Sequence, residues 1–297
     1  MPHRYSAIFI GLSQFIGTLG PMVAAGPMNS ISESMGIGWR FIFLCLGGIG
    51  IILTTLILFL VENNPQKAGK YLILYKPKKI VISLLSLFSR TQPWYLALFS
   101  ASLYFTIEYL SENEGRTFLV LKGISMSSAS YMITISWIGY ALGCLLSGFL
   151  SDMLERRKII MQSCAVIGLV AIIMILYLRD KLHIQIAFLL LGVSASGQSV
   201  GLAAMAEQFK KPFVALGFGL NNTMITAVSV VNTPLIGLLL DYTRNGNETT
   251  LNEYLLVFNV LLITVIVALI MAFFFIKETY CKSSVDFTVL GTKKAFQ

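Results

Sequence analysis

The sequence predicts an all-α integral membrane protein with eight transmembrane helices. Three observations carry this. Eight continuous apolar segments run along the chain, each about 20–25 residues long, enough for a helix to cross ~30 Å of hydrocarbon. Only 12% of residues are charged and mean hydropathy is +0.78, about half the charge a soluble domain carries. The bases are also unevenly shared between alternate loops. None of the segments shows the period-2 alternation of a membrane barrel, and backbone groups in lipid must be satisfied within the segment, so helices are the expected form.

The segments fall at 6–28, 39–61, 94–114, 130–151, 158–178, 184–205, 215–239 and 254–276. The first contains Gly17, Gly20, Pro21 and Pro27 and exceeds the ~7–15-residue core of a cleaved signal, so it reads as a membrane helix. The connection 62–93 is long and basic, its later part alternates bases with apolar clusters, and it reads as a cytoplasmic linker lying partly on anionic lipid. Loops on the side of the termini hold 16 of the 22 Lys and Arg. The positive-inside rule therefore puts both termini in the cytoplasm, and one crossing more or fewer would destroy the asymmetry. The net charge of +8 is explained by these loops; no bases interleave with stacking aromatics as in a nucleic-acid groove. Cys45, Cys144 and Cys164 lie inside apolar runs and, with Cys281, show no metal or disulfide spacing.

The pair of segments before the linker resembles the last pair. Gly11-Leu12-Ser13-Gln14 opens a stretch like the one opened by Gly219-Leu220-Asn221-Asn222, each with prolines further on, and an acid stands where the second helix of each pair leaves the membrane (Glu62, Glu278). This fits a parallel repeat of two transporter halves, the second complete over 94–276 and the first holding its last two helices over 1–61.

The stretch Ser147-Gly-Phe-Leu-Ser-Asp-Met-Leu-Glu-Arg-Arg-Lys158 places an acid and three bases between two apolar runs. Gly148 lets a neighbouring helix approach closely. Asp152 can accept hydrogen bonds from a helix N-terminus or pair with a base. Arg156 and Arg157 are expected at the headgroups, within reach of carboxylates on adjacent helices, with Lys158 completing the basic run. This stretch resembles the loop motif of the major facilitator superfamily, Gly-x-Leu-small-Asp-x-x-x-Arg-Arg/Lys-Lys, except that Met153 stands where the family usually has a base and Glu155 where it usually has glycine. The motif links the second and third helices of each half, and here it joins the second and third helices of the six-helix group. Gly38-Trp39-Arg40 resembles the start of the family's sixth helix; residues 195–208 and 215–222 resemble the tenth and eleventh helices of its bacterial metabolite permeases. The resemblance implies helices 5–12 of a twelve-helix fold. About four helices and one wall of the central cavity are then missing from the first half, and 277–297 is a cytoplasmic tail. It also implies that the loop cluster locks two bundles together on the cytoplasmic side in one state and releases them in another.

Ionisable or amide groups inside a membrane mark function by default. Tyr104, Glu108 and Glu112 share one helix face at i, i+4 and i+8. If that helix continues to about Leu121, Glu108 lies about 20 Å from its outer end, near mid-membrane, where a carboxylate needs a proton or a partner and so suits proton coupling. If it ends near Ser111, Glu108 sits at the wet rim. Asn113 is a candidate helix breaker, as the seventh helix is often broken in this family. Gln198, Asn221 and Asn222 are expected to face a cavity, whereas Asn232, Thr223 and Thr226 are expected to hold helices together. Gly192, Gly197 and Gly201 suggest close packing or bending. The sequon Asn247-Glu-Thr249 lies in an outer loop. The function expected is secondary active transport of a small polar metabolite (amino acid, sugar phosphate or organic acid), proton-coupled, with no cofactor and no metal, in the cytoplasmic membrane. A non-transporting remnant or a subunit of a membrane complex is the alternative. An intramembrane enzyme is disfavoured: the two histidines, His3 and His183, lie at helix ends, and no HExxH, P-loop or GxSxG occurs.

Overall fold

A computed structural model describes residues 6–36, 38–60, 90–209, 214–244, 246 and 249–282. The linker over 62–89, the tail beyond 282 and the first two residues of the sequon lie outside these. The described residues contain twelve α-helices, most of them within the predicted segments, several of which are broken; the helices over 27–35 and 115–121 fall largely outside those segments. The twelve are α1 (Ser6–Ala25), α2 (Pro27–Met35), α3 (Trp39–Leu60), α4 (Thr91–Glu112), α5 (Gly115–Leu121), α6 (Met126–Leu154), α7 (Arg157–Tyr177), α8 (Lys181–Ala195), α9 (Gly197–Glu207), α10 (Val214–Thr243), α11 (Leu251–Val257) and α12 (Asn259–Ile270). A π-helical turn, Met271–Phe275, follows the last. Among the described residues, seven spans are long and apolar enough to cross a membrane. The eighth expected crossing, α4, has the length at 22 residues but is less apolar, since it carries Glu108 and Glu112.

The chain divides into two compact units, Pro27–Ser89 on one hand and Met1–Gly26 with Arg90–Gln297 on the other. In the first, α3 is a 22-residue apolar helix. In the second, α4 and α6–α12 form the bundle, and α1 packs along α6 and against α9.

The breaks have local causes. α4 stops at Glu112, and Gly115 opens α5 where a side chain would strike the Leu110 backbone. Both expectations for this region are therefore half met: the helix ends near Ser111, and helical structure resumes to Leu121. Ser196 separates α8 from α9, its hydroxyl turned back to the Val193 carbonyl at 2.6 Å. Small residues bring α6 and α8 together, because a Cβ at Gly139 or Gly192 would meet the other helix's backbone. α6 ends at Glu155 with φ +53°. This is the left-handed conformation that glycine adopts most easily, so the departure noted at this position puts a strained residue where the related motif has a relaxed one.

Candidate functional site

One end of the bundle is organised around Arg157. Its side chain is fully buried, as is Glu207, and Asp152 is 6% exposed. The guanidinium pairs with Asp152 Oδ1 through Nη1 and reaches Glu207 Oε1 at 2.9 Å through Nη2 and 3.1 Å through Nε. It also donates to Ser151 Oγ at 3.0 Å and to Ser6 Oγ at 3.2 Å. Thr279 donates to the other Glu207 oxygen. Such a cluster survives burial only because both carboxylates and the cation find partners. Arg157 reaches carboxylates on adjacent helices, as its sequence context suggests: α7 begins at this residue, and the two acids give it a buried polar site in the bundle. Arg156 is exposed, and Lys158 is half-buried with Nζ on the Phe273 carbonyl at 3.0 Å.

Two features tie α1 to this cluster. Asp152 Oδ2 accepts from the Ile8 backbone N–H in the first turn of α1 at 2.8 Å, where the helix dipole favours an anion. Gly148 makes the approach possible, since a Cβ there would lie 2.7 Å from the Ala7 carbonyl oxygen. Glu278 caps the first turn of α7 from outside, accepting from Arg157 N at 2.8 Å and Lys158 N at 3.0 Å. Beside this cap the buried Cys281 thiol is pushed up to about 11, chiefly by desolvation.

At the other end of α1, Arg116 Nη2 donates to the Ala25 carbonyl at 3.2 Å. An anion therefore serves the N-terminus of α1 and a cation its C-terminus, each supplied by the bundle. Nearby, Glu114 accepts from Tyr254 Oη at 2.8 Å, and Tyr109, Phe118, Tyr254 and Phe258 pack ring to ring around the α4–α5 break. Lys122 closes α7, its Nζ donating to the carbonyls of Ile175, Leu176 and Leu178.

Between the two ends lies a cavity of about 280 Å³ lined by Gln14, Tyr104, Tyr140, Gln198, Asn222, Ile225 and Thr226. Tyr140 Oη donates to Gln198 Oε1 at 2.9 Å. Gln14 and Asn222 are the fourth residues of the two matching tetrads, Gly11–Gln14 and Gly219–Asn222, so repeat-related positions meet in one cavity. Glu108 follows Tyr104 one turn along the same face of α4. It is half-buried, and its Oε2 is buried without a hydrogen-bond partner.

The helices from α5 onward now stand in the order that the loop motif suggested, and the Major Facilitator Superfamily model matches residues 117–286, more than half of the chain. The chain belongs to the major facilitator superfamily. No curated protein sequence matches it. As a family member it is a multi-pass membrane protein of the transporter class. The match covers α6–α12 and most of α5 but not α1, whose ties to α6 come from the structure.

The structure brings Tyr104, Gln198 and Asn222 together and leaves out other expected site residues. Glu112 is exposed at the end of α4, and Asn113 is exposed in the break beyond it. Asn221 is fully buried, with both amide atoms unpartnered, and does not line the cavity; successive helical residues point about 100° apart, so it and Asn222 cannot share a view. Thr226 and Asn232 bond their own helix, to Asn222 O at 3.1 Å and Val228 O at 2.8 Å, instead of joining helices. Among the glycines, Gly197 and Gly201 face Cys164 and Ser100 closely, as packing requires. Glu207, Tyr140 and Arg116 were not singled out by the sequence, and Gln14 only as part of a matching tetrad. A lone acid ending an apolar run was the available signal for Glu207; for Arg116 there was none.

Proposed function

We propose that this protein carries a small polar solute across the cytoplasmic membrane by secondary active transport with alternating access, coupled to protons through Glu108. The observation that carries this is the cavity between α1 and the bundle, lined by three carboxamides, two phenols and a hydroxyl, with a carboxylate one turn away. Groups of this kind are costly in a membrane unless they serve a solute. The base-rich loops put the Arg157 end in the cytoplasm together with both termini. On this reading the Asp152–Arg157–Glu207 cluster holds the cytoplasmic side shut by gripping the first turn of α1. Its release, with Arg116 still holding the far end, lets the cavity open inward. Gly148, Arg156 and Lys158 support that gate by close approach and by anchoring the start of α7. Glu108 takes a proton in one orientation and yields it in the other.

The test is uptake by proteoliposomes containing the full chain under an inward proton gradient, with labelled amino acids, sugar phosphates and organic acids offered in turn. One class accumulates and collapses with an uncoupler. Glu108→Gln loses accumulation but keeps solute exchange. Accumulation unaffected by that substitution refutes the coupling role, and no uptake of any class favours a non-transporting membrane subunit.

A further inference from the structure

We infer that the solute carries a positively charged amine, held by the aromatic face of the cavity and by Glu108. The inference rests on the transport reading above and specifies its substrate. Among the described residues, the cavity lining contains no lysine, arginine or histidine. Among the described bases, Arg157 is held between two acids, Arg116 donates to the Ala25 carbonyl and Lys122 to carbonyls at the end of α7. An anionic solute would find no countercharge here.

A cation finds two attractions. Tyr104, Tyr140 and Trp137 form a mutually edge-on cluster, with centroid separations of 5.9 Å (Tyr104–Tyr140), 6.4 Å (Tyr104–Trp137) and 5.8 Å (Trp137–Tyr140). Ring faces in such a cluster are electron-rich and attract ammonium groups. One turn along, the Glu108 carboxylate lies beside the Ser229 hydroxyl, with its buried Oε2 left without a hydrogen-bond partner. An ammonium would supply the missing partner, as would the coupling proton, so solute and proton would share one carboxylate. The amides of Gln14, Gln198 and Asn222 can donate to an oxygen at the solute's other end, which admits a zwitterion as well as a simple cation. The shared requirement is the ammonium.

The experiment uses the full chain carrying Trp39→Phe and Trp94→Phe, so that Trp137 is the sole tryptophan. Its fluorescence is titrated with tetramethylammonium, pivalate and tert-butanol, which are nearly equal in shape and differ in charge. Tetramethylammonium is expected to give a saturable change and the other two none. Glu108→Gln and Tyr104→Leu are each expected to raise the half-saturation concentration about tenfold or more, with Glu108→Asp recovering part of the loss. Equal response to pivalate or tert-butanol, no response to tetramethylammonium, or unchanged half-saturation in a folded Glu108→Gln overturns the inference. Labelled tetramethylammonium in proteoliposomes separates this from the transport reading. Binding without uptake sinks transport and leaves the ammonium site, whereas uptake of an uncharged solute with no ammonium binding does the reverse.

Discussion

Replacing Arg157 with alanine tests the lock directly, and the structure supplies a reporter of opposite sign for the two outcomes. The substitution leaves Asp152 and Glu207 buried without their cation, and truncating one partner of a buried ion pair typically costs ~3–5 kcal/mol. The reporter is Cys281, whose Sγ lies 4.0 Å from the Ser151 carbonyl at the base of the cluster. Burial raises its thiol from 9.0 to about 11, with Glu207 and Asp152 adding to the rise and Arg157 opposing it. Two pH units mean about a hundredfold less thiolate at neutral pH, and the thiolate is the form that reacts. If the cluster opens, Cys281 regains an ordinary environment, and its maleimide labelling accelerates by up to about a hundredfold. If the cluster stays shut, Cys281 loses a favourable cation, keeps the carboxylates of Glu207, Asp152 and Glu155 and labels more slowly than before. The assay is the labelling rate near neutral pH in a chain with Cys45, Cys144 and Cys164 changed to alanine. An unchanged or slower rate in folded Arg157→Ala refutes the reasoning. Arg157→Lys, which keeps the charge but not the fork, should fall between.

Three further outcomes are expected. Gly148→Val drives a side chain into the Ala7–Ile8 backbone and should lower stability by ~1–3 kcal/mol, read as a fall in melting temperature in detergent, with faster hydrogen exchange at the Ile8 amide. Glu155→Gly relieves a left-handed non-glycine residue at φ +53°; the gain of ~1–2 kcal/mol, less ~0.5–1 for glycine's freedom in the unfolded chain, should raise the melting temperature slightly, and a fall would contradict the strain. Lys122 is pushed down to about 8 from 10.5, first by burial and then by Arg179. A base depressed on folding costs stability while protonated in both states, and the cost is lifted as pH climbs from about 8 to 10.5. Lys122→Met should flatten the rise in melting temperature across that window.

The spans were legible because lipid imposes length and continuous apolarity on any helix that crosses it, and both are properties of sequence alone. The same holds for the Asp152–Lys158 motif, where acid, bases and a glycine crowd a short turn, and for the matching tetrads at Gly11 and Gly219. Helix breaks were less legible: Asn113 could be suspected and the glycines at 192, 197 and 201 suggested bending, but the sequence did not single out Ser196 as the point where the helix breaks. The tertiary structure alone decided which polar groups meet. Arg157 could have snorkelled to the surface on sequence grounds; it is buried because Glu207, fifty residues away, closes its other side. Asn221 and Asn222 look equivalent in the sequence, and only the rotation of α10 separates one from the cavity. Composition and hydrophobic length are local and survive without a fold, whereas pairing energies between distant charges exist only once the helices have been brought together.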